Sequence, residues 1–180
     1  KKGDSLMLDF YQNFAGVISF KAKGKKGQRI IVRYSEVLSD DGELYVDNLR
    51  SARCVDMLIL GDGQAEFSPK FTYHGFRYAE ITVEKGHIDD VEIDDIKGLV
   101  LSQNLERTGY FACSDAIVDK IYQNTYWGQL GNFISVPTDC PQRDERLGWT
   151  GDAQIFCDTA TYNADCNLFY KNYLDILRED

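Results

Sequence analysis

With 180 residues the chain can bury one good core, or two small ones sharing an interface. Its 43% hydrophobic content is that of an ordinary soluble globular protein, and its 11 tyrosines and 10 phenylalanines fit core packing before they fit a sugar-stacking surface. The formal net charge of −9 arises from dispersed acids, which argues against a nucleic-acid partner and offers no attraction to an anionic membrane.

The first hundred residues read as β-structure. In Val17–Lys23, Ile18, Phe20 and Ala22 alternate with Ser19, Lys21 and Lys23, the period of a half-buried strand. The lysine-rich stretch Lys21–Arg29 is the one basic cluster, and its glycines make it a solvated turn rather than a binding patch. Ile30, Val32 and Tyr34 then share a side, so the two segments are expected to form a hairpin. Ser39–Gly42 is a further turn, Cys54–Leu60 a strand ended by Gly61-Asp62-Gly63, and Phe76–Val83 another strand. Val91–Leu101 is extended in character. This succession of short strands predicts a sandwich-like β domain.

After Gly109 the period changes. Ser114 and Asp115 are suited to a helix start, and Ile117, Ile121 and Thr125 recur at four-residue steps, widened by Val118, Tyr122 and Tyr126. That helix is expected to fail near Gly128–Gly131. A second begins around Gly151 or Asp152, packing Ala153, Phe156, Cys157 and Ala160, and a third runs from near Asp165 to Leu177 with a mixed face. The domain expectation is therefore a β domain over residues 1–108 and the first helices of an α domain over 109–180. Three helices make a poor complete domain, and the chain opens on KKGDSL without a methionine. It reads as a piece of a longer protein, cut at its C-terminus, with the remainder of the parent chain as a partner.

Five cysteines, at 54, 113, 140, 157 and 166, are odd in number and include no CxxC pair, so neither a zinc site nor a disulfide framework is indicated. Free thiols fit a reducing, cytoplasmic address, with a periplasmic or secreted one left open. No apolar run has membrane length. His74 and His87 read as a packed and an exposed histidine, and Cys140 has no histidine close in sequence to make it a nucleophile.

The chemistry concentrates in Pro137–Gln154. Asp139, Asp144, Glu145 and Asp152 stand among Arg143 and Arg146 and are followed by Trp149. Two prolines and two glycines restrict this backbone, and apolar residues at each end pin it, so its carboxylates are held in fixed geometry. Glycosidic cleavage uses such a set. The leaving oxygen needs a proton from a carboxyl group, and ionised neighbours can grip sugar hydroxyls and stabilise an oxocarbenium-like transition state. Spacing alone leaves three readings open: a salt-bridged structural turn, a glycosidase-like site, and a calcium site through Asp139, Asp144 and Asp152. The interposed arginines weigh against calcium, and no cofactor or metal is indicated.

The segment TDCPQRDERLGWTGDAQ resembles the signature of the bacterial α-L-rhamnosidases of glycoside hydrolase family 78. Upstream, LDFYQN at 8–13, SEVLSDDGELYVDNLR at 35–50 and PKFTYHGFRYAEI at 69–81 resemble the β region that precedes the catalytic barrel in that family. The resemblance implies an (α/α)6 barrel with an inverting site that removes terminal α-L-rhamnose from glycosides or polysaccharides. It implies Glu145 as general acid, Asp139 and Asp152 as binders of rhamnose hydroxyls, Arg143 as a clamp on the sugar, and Trp149 as a pocket wall against the C6 methyl. Asp144 would then point elsewhere and serve local structure. Two departures stand out. Tyr11 occupies a position that is often glycine in the family, and no residue here matches the family's general base, a glutamate from a later part of the barrel. Two other readings remain: a related barrel acting on another sugar, and a non-catalytic carbohydrate-binding or structural protein.

Overall fold

The computed structural model describes residues 4–179. Lys1–Gly3, at the start of the opening KKGDSL segment, and Asp180 lie outside them. The chain divides into two compact units, Lys1–Val100 with Gln142–Asp144, and Leu101–Pro141 with Glu145–Asp180.

The first unit is one curled, antiparallel six-stranded sheet: β1 (Leu6–Lys23), β2 (Arg29–Ser35), β3 (Val55–Ile59), β4 (Gln64–Phe67), β5 (His74–Val83) and β6 (Glu92–Val100). The alternation read from the sequence is the alternation of burial. Ile18, Phe20 and Ala22 are buried in β1, as are Ile30, Val32 and Tyr34 in β2. The last three face Val83, Ile81 and Ala79 of β5 in register. Phe20 lies opposite Phe67 of β4, the rings stacked at 4.8 Å.

The expected hairpin of β1 and β2 does not form. The strand order is β3-β2-β5-β1-β4, with β5 between the two and β6 also paired to β1. The turn after β1 instead hooks onto the end of β3, where the Gly27 N–H donates to Leu60 O at 2.8 Å and the Leu60 N–H to Gln28 O at 2.9 Å. Strand β5 offers β2 six consecutive register partners, Ile30 to Ser35, including the three buried pairs. That apolar match outweighs the short loop's preference for joining its own flanks.

The β1–β5 register shifts between Asp9 and Phe14. Tyr11 sits in this bulge at φ 59°, a left-handed conformation favoured by glycine. Its N–H is held by Asp9 Oδ1 at 2.7 Å, and Asp9 in turn accepts two hydrogen bonds from Arg77. The Arg77 hydrogen bonds hold the Asp9 carboxyl below its ordinary range. Glycine is required elsewhere: a Cβ on Gly16 would lie 2.0 Å from Leu99 O, where β1 pairs with β6.

The second unit contains α1 (Ala116–Asn132), a short ladder of Phe133–Ile134 with Val136–Pro137, α2 (Thr150–Asn163) and α3 (Asn167–Glu179). Phe133, Ala160, Ala164, Cys166 and Phe169 make its core, with Phe133 and Phe169 stacked at 4.3 Å. Residues 101–108, read from the sequence as the end of the β domain, belong with the helices. Their backbone explains it: Gln103 N–H donates to Phe133 O, the Thr108 and Gly109 N–H groups to Asn163 O, and Asp165 N–H to Glu106 O.

Three local expectations change. Asp115, not Ser114, caps α1, accepting from the Ile117 and Val118 N–H groups. The helix continues through Gly128 and Gly131 because the buried Gln129 fastens it, donating to Ala160 O and accepting from Asn163 Nδ2. Only one edge of its apolar stripe is packed: Ile117 is 73% and Ile121 58% exposed, while Tyr122 and Tyr126 are half-buried. The partners lie around the helix at Tyr122 and Tyr126, which hold Arg107, its guanidinium 4.0 Å from the Tyr126 ring centroid. Among the described residues, no helix is long and apolar enough to cross a membrane.

Candidate active site

The end of α1, the short ladder and the start of α2 enclose a pocket of about 450 Å³. Ser135, at φ 74°, reverses the chain between Phe133–Ile134 and Val136–Pro137. The N–H and hydroxyl of Thr138 then both donate to Asn132 O, at 2.9 and 3.2 Å. This satisfies a carbonyl at the end of α1 and brings Asp139 to the pocket wall. Asp152 reaches the same pocket from the first turn of α2, where a helix N-terminus favours a carboxylate. Gln129, Asn132 and Thr138 add polar groups, while Phe133, Pro137, Ile155 and Phe156 supply apolar surface. Carboxylates converging on an apolar-walled pocket suit a ligand with hydroxyls on one side and C–H faces on the other.

The two aspartates that the family resemblance implies as sugar binders both line this one pocket. Glu145 is half-buried in the same unit, its carbonyl accepting from the buried Cys140 Sγ at 3.3 Å, but it is not among the lining residues. Nor is Trp149, which is 44% exposed. Its carbonyl accepts from the Ala153 N–H at 3.0 Å as α2 opens. Behind it, Gly148 O accepts from the Tyr173 hydroxyl at 2.7 Å, which secures the loop to α3. Arg143 belongs with Gln142 and Asp144 to the β unit. Asp144 is occupied there: its Oδ2 accepts from both the N–H and the hydroxyl of Ser51. The Ser51 hydroxyl, followed by backbone N–H groups and the charge of Arg50, holds the Asp144 carboxyl below its usual range.

Sequence reasoning missed Gln129 and Asn132. Both are polar residues three apart on an otherwise apolar-striped helix, which was the available signal. It also missed the setting of His74. That ring is buried, its Nε2 lies 3.0 Å from Asp56 Oδ2, and it stacks on Tyr34 at 4.2 Å. The Tyr34 hydroxyl donates to the same carboxylate oxygen at 2.8 Å. Burial, then the neighbouring Asp56 charge, pushes the Tyr34 hydroxyl far above its ordinary value. The network packs a histidine inside a sheet, in line with a structural rather than a catalytic residue. Among the described residues, no group of three or more His, Cys, Asp and Glu side chains is placed to hold a metal ion.

Residues 1–102 match the family model described as the bacterial alpha-L-rhamnosidase concanavalin-like domain, and residues 106–180 that of the bacterial alpha-L-rhamnosidase six-hairpin glycosidase domain. The chain belongs to the bacterial α-L-rhamnosidases. It is 41% identical to an alpha-L-rhamnosidase of Formosa agariphila over 99% of its length, and 40% identical to one of Streptomyces avermitilis over 96%. It spans only 19% and 17% of those two proteins. Among solved structures, it superposes on the alpha-L-rhamnosidase of Dictyoglumus thermophilum with a TM-score of 0.88, at 40% identity, covering 98% of this chain and 20% of that one. The S. avermitilis enzyme in complex with L-rhamnose gives 0.89 at 39% identity, covering 99% and 17%. In this rhamnosidase chain a curled β-sheet domain is followed by three helices at the start of the six-hairpin domain.

Proposed function

We propose that the protein carrying this chain is an inverting glycosidase that releases terminal α-L-rhamnose from glycosides or polysaccharides, with Glu145 as general acid. What carries the reading is the pocket shared by Asp139 and Asp152 in a chain of this family. The two aspartates accept hydrogen bonds from rhamnose hydroxyls and stabilise the positive charge that develops at the anomeric carbon. Glu145 gives its proton to the departing oxygen. Arg143 holds the sugar, and Trp149 stands against its C6 methyl group.

Inversion also requires a second carboxyl, roughly 6.5–9.5 Å from the first, to activate water. No residue of this chain matches that base, so the 180 residues alone are expected not to hydrolyse rhamnosides. The test is Glu145→Gln in the complete protein. Rates on an alkyl α-L-rhamnoside, a poor leaving group, should fall roughly 10²–10⁴-fold, and those on a dinitrophenyl α-L-rhamnoside far less, because that group departs without a proton. Proton NMR of the first-formed sugar should show inverted anomeric configuration. Unaltered rates in Glu145→Gln, or retention of configuration, would overturn the proposal.

A further inference from the structure

The segment preceding Glu145 is tied down by a turn nearly a hundred residues earlier. Leu49, fully buried, ends a short 3-10 helix over Asp47–Leu49. Arg50 follows at φ 57°, ψ −119°, and the Ala52 N–H closes back on Leu49 O at 3.1 Å. This is a tight turn whose first central residue ordinarily calls for glycine. An arginine persists there only where the surroundings over-determine the backbone.

The turn's effect is to aim both donors of Ser51 at one oxygen. Its N–H reaches Asp144 Oδ2 at 3.2 Å, and its hydroxyl donates to the same atom. Three residues on, Cys54, also at positive φ (46°), donates from its buried Sγ to Gln142 O at 3.1 Å. Residues 142–144 are therefore held at both ends within the unit to which Ser51 and Cys54 belong. Glu145 is the next residue in the chain.

We infer that Ser51 is a positioning residue for the proposed acid: by engaging the Asp144 carboxylate it sets the backbone from which Glu145 projects. The lowered pKa of Asp144 agrees, since the Ser51 hydroxyl donates to its carboxylate. This inference rests on the acid role proposed for Glu145.

The experiment compares Ser51→Ala, Ser51→Thr and Glu145→Gln in the complete protein, each on an alkyl and a dinitrophenyl α-L-rhamnoside. The ratio of the two kcat values does not depend on how much enzyme is folded, so a merely structural role would leave it unmoved. Ser51→Ala should lower the alkyl rate relative to the dinitrophenyl rate by about ten-fold or more, a part of the full general-acid contribution. Ser51→Thr, which keeps the hydroxyl, should restore the ratio. An unchanged ratio in Ser51→Ala, whatever happens to the total rate, overturns the inference. So does a ratio that threonine fails to restore. If Glu145→Gln itself leaves the ratio unchanged, the acid assignment fails instead, and Ser51 loses its role with it.

Discussion

Replacing His74 by phenylalanine would remove one of two hydrogen bonds that hold a half-buried carboxylate in the β unit. His74 Nε2 and the Tyr34 hydroxyl share Asp56 Oδ2, at 3.0 and 2.8 Å. Phenylalanine keeps the ring stacked on Tyr34, so the perturbation falls on Asp56. A hydrogen bond to a charged group contributes about 1.5–3 kcal/mol, and here Tyr34 stays in place, so about 2 kcal/mol of destabilisation is expected at pH 7. The pH dependence has a definite sign. Burial works to raise the Asp56 carboxyl, but the hydrogen bond and charge of His74, with the Tyr34 hydroxyl, hold it below its ordinary value. A group depressed in this way contributes stability that is full above its unfolded pKa, about 3.9, and is lost as pH falls through the folded value. The cost of His74→Phe should therefore be greatest near neutrality and shrink below about pH 4. Both tryptophans lie in the helical unit, at 127 and 149, so unfolding of the sheet should be followed by tyrosine near-UV circular dichroism during urea titration. A variant within about 0.5 kcal/mol of the parent at pH 7, or a penalty that grows on acidification, would refute the reasoning.

Gly109→Ala should disrupt the helical unit, because the new Cβ would sit 1.6 Å from Tyr162 O, a backbone atom that cannot swing aside. Gly61→Ala, with open space around it, is the control and should stay within about 0.5 kcal/mol of the parent. Circular dichroism melts compare the two, and equal midpoints would contradict the steric account.

Much of the fold is legible in the amino-acid pattern. The alternation in Val17–Lys23 and Arg29–Ser35 and the carboxyl-rich segment after Pro137 are properties of short stretches, and each appears where the pattern put it. The burial of α1 could not be read this way. Ile117 and Ile121 recur at helical spacing yet stand exposed, because a period shows only that a helix has an apolar face, not what covers it. The candidate site divides likewise. Asp139 and Asp152 were legible as a dense motif, whereas Gln129 and Asn132 join them only because Thr138 folds back onto the end of α1.

Most of the strands and helices, and a segment dense in acids, can be read from the order of the amino acids, since these depend on neighbours a few residues apart. Only folding in three dimensions put β5 between β1 and β2, brought two aspartates from different elements to one pocket, and set Ser51 against Asp144. Each of those joins residues far apart along the chain, and such a pairing exists only once the intervening segments have found their own places.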